Sequence, residues 1–384
     1  MSNGGKVTLS VVTADIGGFV GRVSSHPDVL DTAKERLHNA KEKGLIKDFH
    51  VLRCGDGLGL IIYHALGERS PVLHELSWNA FFACMDAASE LRLHAPERDA
   101  HGGCDDKGTP FGGGLKGHCP VIAEMEFTLR ESEPVVIFMV NKTLTGPFNL
   151  PLYKIFADPF NTAGLILDAL MLPGFSFKVA DPAQGGNSPR VITLSTPNET
   201  YPLLALIGST SRYVVQAVYR NSDDEICAVI SSEKLKPAGD SAAGGITPLG
   251  RGEPAAIIRC QTGFPAVGEV MEGFAHPHLV AGWMRGAYNG PLLPVPFYEA
   301  NPARFDGPPR AIAAGFQLTE DRLIGPHDMF DDPSFDESRR TANVVADYIR
   351  RQGPFEPHRL PEDELGATAL PFVLEKIKNR FKKV

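Results

Sequence analysis

Residues Lys6–Asp15 (KVTLSVVTAD) are almost continuously apolar or β-branched, which predicts a strand covered on both faces. From Ser25 the spacing changes to that of a helix, with Val29, Ala33, Leu37 and Ala40 on one stripe and Gly44 as its stop. A second apolar run, His50 to His64, predicts a strand interrupted by Cys54-Gly55-Asp56-Gly57-Leu58-Gly59, where the glycines signal a bulge or a close backbone approach. Ser70-Pro71 opens another helix, with Val72, Leu76, Ala80, Ala83, Ala87 and Leu91 as its apolar line. Val121–Arg130 and Pro134–Asn141 read as a hairpin around Glu131-Ser132-Glu133.

Short strands follow at Phe175–Ala180, Val191–Ser195, Tyr213–Arg220, Ile226–Ser232, Ala255–Gln261 and Ala311–Leu318. Turns rather than helices join most of them, so much of the sheet should be antiparallel. Asp332-Pro333 begins a helix with Ala342, Val345, Ala346 and Ile349 on its buried face, and a last helix spans about Leu370 to Phe381. No repeat and no interdomain linker interrupts this pattern, which favours one large domain over residues 1–384.

Three stretches break the periodicity. The polar, glycine-rich insertion at about 93–120 has the composition of a lid; His94, His101, His118, Cys104 and Cys119 fall in it without the spacing of a zinc site. Pro237 to Gly250 is a Gly/Ala/Pro bridge. Gly282 to Arg310 carries too many prolines for a long helix or a central strand, and Leu292, Leu293, Val295 and Phe297 supply apolar surface to pin it. Its arginines and Asp306 give it the character of an anion-recognition loop.

Composition narrows the function classes. The chain has 384 residues, is 43% hydrophobic and carries a formal net charge of −8, which argues against a general nucleic-acid or anionic-membrane binder. No apolar run reaches membrane-span length, and no signal-peptide pattern opens the chain, so a cytoplasmic location is expected. The six cysteines lack framework spacing and read as free thiols. No Walker or G-x-G-x-x-G fingerprint follows either early strand, and no organic cofactor is indicated. The acids Asp15, Asp56, Glu253 and Asp306 lie at predicted strand ends or glycine turns, where they could converge on a hard divalent cation.

Long motifs then carry a resemblance. ADIGG with HPD, Cys54-Gly55-Asp56, WNAF at Trp78 to Phe81, NLPLYKIFADPFNT at Asn149 to Thr162, GWMRG, RFDGPPR, FDDPSFDESRR and ADYIRRQGPF resemble the fructose-1,6-bisphosphate aldolase/phosphatase family across nearly the whole chain. The resemblance implies an α/β (α+β) fold, a single-domain four-layer α-β-β-α sandwich with largely antiparallel sheets, and a homo-octamer. It also implies a phosphorylated small-molecule substrate, Schiff-base aldol chemistry on a lysine, and Mg²⁺-dependent removal of a phosphate.

By the same resemblance Arg285 would hold substrate phosphate, Asp306 would lie near sugar and metal, Tyr348 and Gln261 would be active-site residues, and Asp15 and Asp56 metal ligands. Elsewhere the motif departs. The family's GKDDP reads Gly250-Arg251-Gly252-Glu253-Pro254 here, and an arginine forms no imine. A family tyrosine aligns with Pro248, a histidine ligand with Arg22, the second aspartate of the GDD pair with Gly57, a lid glutamine with Arg98, and another aspartate with Asn141.

The expectation is a diverged member acting on a sugar phosphate or related phosphoester. Tyr348, Asp56 and Glu253 would be catalytic; Arg285, Asp306, Gln261, Arg251, Arg22 and Arg98 would bind substrate. A reduced metal set of Asp15, Asp56, Glu253 and Asp306 would hold Mg²⁺ weakly or not at all. Two alternatives stay open: a non-catalytic sugar-phosphate-binding partner of an intact family member, and a conventional fructose-1,6-bisphosphatase.

Overall fold

The structure is a computed structural model of the chain. It describes residues 5–93, 120–141, 143, 146–181, 190–208, 212–235, 253–282, 288–301, 308–351 and 370–383. The expected lid, the Gly/Ala/Pro bridge, Arg98, Arg251, Arg285 and Asp306 lie outside the described residues.

The first half of the chain runs β1 (Lys6–Asp15), α1 (Pro27–Glu42), β2 (Asp48–Cys54), β3 (Gly57–His64), α2 (Pro71–Glu90), β4 (Val121–Thr128), β5 (Glu133–Val140), α3 (Asn149–Ala157) and α4 (Gly164–Leu167). It continues through β6 (Phe175–Asp181), β7 (Arg190–Ser195), α5 (Thr200–Ile207), β8 (Val214–Arg220), β9 (Ile226–Ile230), β10 (Glu233–Lys234), β11 (Ala255–Arg259) and α6 (Val267–Glu272). The last part comprises β12 (Leu279–Gly282), β13 (Tyr288–Pro291), β14 (Leu293–Pro294), β15 (Arg310–Leu318), β16 (Leu323–Asp328), α7 (Asp336–Arg350), α8 (Leu370–Ile377) and β17 (Lys382–Lys383).

A five-stranded sheet has the order β10-β4-β1-β3-β2, and a ten-stranded sheet is built along β14-β15-β5-β11-β9-β8-β6-β7-β17 with β16 beside β15. Among the described strands every pairing except β14 with β15 is antiparallel. Strand alternation creates the layers. Val7, Leu9 and Val11 of β1 meet Val135, Ile137 and Met139 of β5 between the sheets, whereas Val12 and Ala14 turn to α1 and α2. On the far face of the large sheet, Val136, Phe138 and Val140 pack with α3, α5 and α6. The result is the expected α-β-β-α sandwich with antiparallel sheets.

Three local expectations change. The interrupted strand at His50–His64 is a tight β2–β3 hairpin, in which Cys54 pairs with Gly57 and Gly55 adopts φ +63°. Asp56 therefore sits at a hairpin tip, a geometry that favours a glycine with positive φ. The expected β4–β5 hairpin is absent, because β4 joins the small sheet and β5 the large one. Both strands carry apolar side chains that must be buried, so the chain turns a corner and packs them face to face. The buried line of α2 is Leu73, Ser77, Ala80/Phe81, Cys84 and Ala88, with Val72 and Leu91 exposed. Burying Trp78 and Phe81 removes more apolar area from water than the alanine line could, and this rotates the helix.

A buried ion network closes the corner. Glu133 receives Arg259 at 2.9 Å and Arg130 at 2.6 Å, and Arg259 also reaches Glu225 at 2.7 Å. The guanidinium groups of Arg130, Arg220 and Arg259 all stand over the Phe264 ring at 4.5–4.7 Å, so charge pairing and cation–π contact act together. Cys54, Cys84, Cys227 and Cys260 are buried free thiols, as expected for reduced cysteines.

A second polar layer lies inside the small sheet. His64 shares a 2.8 Å hydrogen bond with Ser10, whose hydroxyl also donates to Glu124 at 3.0 Å. Burial pushes His64 down to about 4, and burial does the same for His278. Both are neutral in the folded chain but protonate below about 6.5 when unfolded, so stability should fall as pH drops from 6.5 towards 4. Thermal melts of wild type and His64→Gln across that range should give a shallower pH slope for the variant; parallel slopes would contradict the assignment.

Candidate active site

The end of β1 is built by register. Asp15 pairs with Gly57, the first residue of β3, which brings the Asp56 hairpin tip alongside it. Glu253 enters just before β11, where the hydroxyl of Thr13 donates to its carbonyl. One carboxylate oxygen from each of Asp15, Asp56 and Glu253 lies within 4.8 Å of the others, and all three residues are buried. A backbone N–H from Gly17 to Asp15 (3.2 Å) and a Ser25 hydroxyl donating to the Asp56 carbonyl (3.0 Å) fix the two aspartates.

The loop after β1 folds back as a narrow turn, with Phe19 N–H donating to the Ser24 carbonyl at 2.9 Å, and Arg53 pins it through the Ser24 hydroxyl and the Ser25 carbonyl. Arg22 at its tip places Nη2 on Asp15 Oδ2 and Nε 3.3 Å from Asp56 Oδ2. Burial opposes the charged guanidinium, but Asp15, Asp56 and Glu253 together hold its pKa above the ordinary value. Arg22 is thus a fixed cation inside the carboxylate cluster, bridging two of the three acids.

Gly57 and Glu253 are sterically matched. A Cβ at Gly57 would stand 3.0 Å from Glu253 Cγ and 3.1 Å from both Cδ and Oε2, so the longer carboxylate occupies the space a residue-57 side chain would need. Reading each position separately along the sequence could not reveal this coupling. The structure also adds neighbours. Asn141 and Arg310 exchange hydrogen bonds, N–H of each donating to the carbonyl or side-chain oxygen of the other at 3.1 Å. Val140 N–H donates to the Pro254 carbonyl and Cys54 Sγ to the Arg310 carbonyl, which ties the pair to the Glu253 and Asp56 segments. Asn141 Nδ2 is buried without a hydrogen-bond partner. Burial lowers the Arg310 pKa, although Glu299 and Cys54 act against it.

Two sequence candidates stand apart. Gln261 follows β11 whereas Glu253 precedes it, and the five-residue strand with its extended flanks separates them by roughly 26 Å. Its turn is held instead by Arg130, which donates to the Gln261 carbonyl at 2.7 Å. Tyr348 is 65% exposed on α7 and makes no hydrogen bond to the carboxylate cluster.

With this geometry in place, comparison with known proteins is decisive. A fructose-1,6-bisphosphatase family model matches residues 6–382. The chain belongs to the fructose-1,6-bisphosphate aldolase/phosphatase family. It is 52% identical to the fructose-1,6-bisphosphate aldolase/phosphatase of Ignicoccus hospitalis over 99% of this chain and 94% of that protein. It is 50% identical to the protein of that name from Thermococcus onnurineus over the full length of both. The Moorella thermoacetica relative is 48% identical over 99% of this chain and 96% of its own length.

The family relationship implies a metal, and the donor set can be tested against it. Three convergent carboxylates are hard oxygen ligands that suit one divalent cation such as Mg²⁺. Asp15, Asp56 and Glu253 would hold it, and it would supply positive charge to phosphate oxygens. Arg22 already claims Oδ2 of both aspartates, so the same atoms serve either the guanidinium or a cation.

The Gly57–Glu253 match gives a direct test. Gly57→Ala should cost about 1–3 kcal/mol through overpacking, measured by denaturant unfolding, and adding Glu253→Asp should recover most of that loss. Strictly additive effects would show that the two positions are not coupled.

Proposed function

We propose that this chain binds a phosphorylated sugar at the β1/β3/β11 site, has lost the Schiff-base aldolase step, and uses Arg22 in place of part of the metal charge. The observation that carries the reading is the Arg22 guanidinium bridging Asp15 and Asp56 within the carboxylate cluster. A guanidinium and a divalent cation both neutralise phosphate, but only the guanidinium is covalently held and insensitive to chelators.

The loss of the aldol step rests on Arg251 standing where the family motif has its lysine, since imine formation needs a deprotonated amine. Arg285, Arg251, Arg98 and Asp306 complete the proposed substrate contacts, with Asp56 and Glu253 as the groups available for proton transfer; Gln261 and Tyr348 stand apart from this site in the folded chain and are not assigned to it. Asn141 Nδ2 is a further donor that a substrate oxygen would satisfy. The proposed setting is a cytoplasmic homo-octamer.

A second reading is favoured by the 46–52% identity to the curated relatives: a conventional Mg²⁺-dependent phosphatase in which Arg22 leaves the aspartates when the cation binds. Metal stoichiometry separates the two. The first reading expects at most one weakly held Mg²⁺ per chain and turnover of fructose 1,6-bisphosphate that persists in EDTA. Removing the competing charge in Arg22→Ala should then tighten Mg²⁺ by about tenfold or more, read by calorimetry. Full metal occupancy in wild type, or unchanged affinity in the variant, would favour the second reading.

Borohydride trapping with dihydroxyacetone phosphate should give no mass adduct on this chain, whereas a relative with the lysine motif should give one. A stable adduct here would refute the loss of the aldolase step.

A further inference from the structure

A second polar cavity lies apart from the carboxylate site, beside Ile122 and Glu124 of β4, which pair with Val12 and Ser10 and so stand roughly 10–17 Å along the sheet from Asp15. It opens to solvent and offers about 110 Å³ where the edge of β4 and the segment before α2 meet the large sheet. Glu68, Arg69 and Glu124 form one wall, and Lys178, Gln216 and Tyr219 the other.

The large-sheet wall is shaped for this purpose. Lys178 pairs with Ala217 but Val179 pairs with Val215, so Gln216 is an extra, bulged residue in β8. A second irregularity follows between Val218 and Tyr219 against β9. Val215 and Val218 both face the core under α3 and α5, leaving Gln216 and Ala217 on the cavity side. Bulges of this kind re-aim side chains and recur next to binding sites.

Gln216 is only 4% exposed, and both its Oε1 and Nε2 lack a hydrogen-bond partner. A buried amide left unsatisfied at both atoms costs roughly 1–3 kcal/mol per group, so a ligand or solvent has to complete it. Among the described residues Lys178 has no ion pair either, and Tyr219 OH no hydrogen bond. On the facing wall Glu124 is already engaged by Ser10 (3.0 Å), Arg69 N–H (2.8 Å) and His74 (3.4 Å). Glu68 accepts the Glu126 N–H at 3.0 Å. Burial, reinforced by Glu124 and Glu126, raises its pKa against the opposing effects of the Glu126 N–H and Arg69, and a further cation would act in the same sense as Arg69.

The groups left to a ligand are therefore one positive charge, one carboxylate open to solvent and an amide that needs both an acceptor and a donor. We propose that this cavity binds a small zwitterion of the amino-acid class, with its carboxylate on Lys178, its ammonium on the Glu68 side, and the Gln216 amide serving both ends. An isolated anion would satisfy Lys178 but face Glu68 and Glu124, and an isolated cation would leave Lys178 unpaired. At about 10–15 Å³ per water-sized position, the volume matches a ligand of a handful of heavy atoms.

The test uses the full chain, with glycine and serine as probes and acetate, methylammonium and inorganic phosphate as controls. Saturable binding of glycine or serine by calorimetry is expected, with a melting temperature raised by about 1–3 °C at ~20-fold excess over Kd. The controls should give no comparable effect. Lys178→Met and Gln216→Leu should each weaken binding at least tenfold (about 1.4 kcal/mol) while keeping the wild-type circular dichroism spectrum. Gln216→Leu should also match or exceed the ligand-free melting temperature, since it removes two unpaired polar atoms. The proposal is overturned if neither amino acid binds, if acetate or phosphate binds as well, or if Gln216→Leu binds like wild type. The first of these outcomes would mean that solvent alone fills the cavity. Failure here leaves the carboxylate site untouched, because no residue is shared.

Discussion

Carboxylates buried where strands end have to be neutralised, and most of this molecule's chemistry follows from how that is done. β1 is covered on both faces from Val7 onward, so its central run is committed to packing, and its reactive acid emerges only at Asp15. There the β2–β3 hairpin and the entry to β11 add Asp56 and Glu253. One guanidinium from the loop between β1 and α1 binds two of the three acids. Leaving any of these charges unpaired in a low-dielectric setting would cost several kcal/mol, so loop, hairpin and strand are energetically linked.

The same constraint recurs at the other end of the sheets. Glu133 is 0% exposed and would be untenable alone, yet Arg259 and Arg130 saturate it and Phe264 backs their guanidinium planes. This cluster anchors the corner at which the chain leaves the small sheet for the large one. It also fixes the Gln261 turn through Arg130, which keeps that residue away from the carboxylates of its own chain. The Ser10–His64–Glu124 layer is a third case, in which the Glu124 carboxylate is met by the Ser10 hydroxyl, the Arg69 N–H and His74.

Substitutions at the site therefore act in groups. Glycine at position 57 and glutamate at 253 share one volume, and the arginine at position 22 shares two oxygens with any cation. On the proposed reading the site is altered rather than lost, since three acids still converge and a fixed guanidinium joins them.

The sequence alone determined the strand-rich, antiparallel character of the fold, the buried stripe of α1 and the family, because these rest on local periodicity and long motifs. It also singled out Asp15, Asp56 and Glu253 as acids at strand ends or glycine turns, and Arg22 through the family resemblance. It did not find α3, α5 or α6: the first two are short and carry Pro151 and Pro202, and α6 spans only six residues, so helical periodicity has little length in which to appear. The separation of β4 and β5 into different sheets was decided by face-to-face burial of Phe127, Met125, Ile137 and Met139. The Gly57–Glu253 match and the re-aimed Gln216 arise from contacts between residues far apart in the chain. Such contacts leave no local pattern, so only the tertiary structure could decide them.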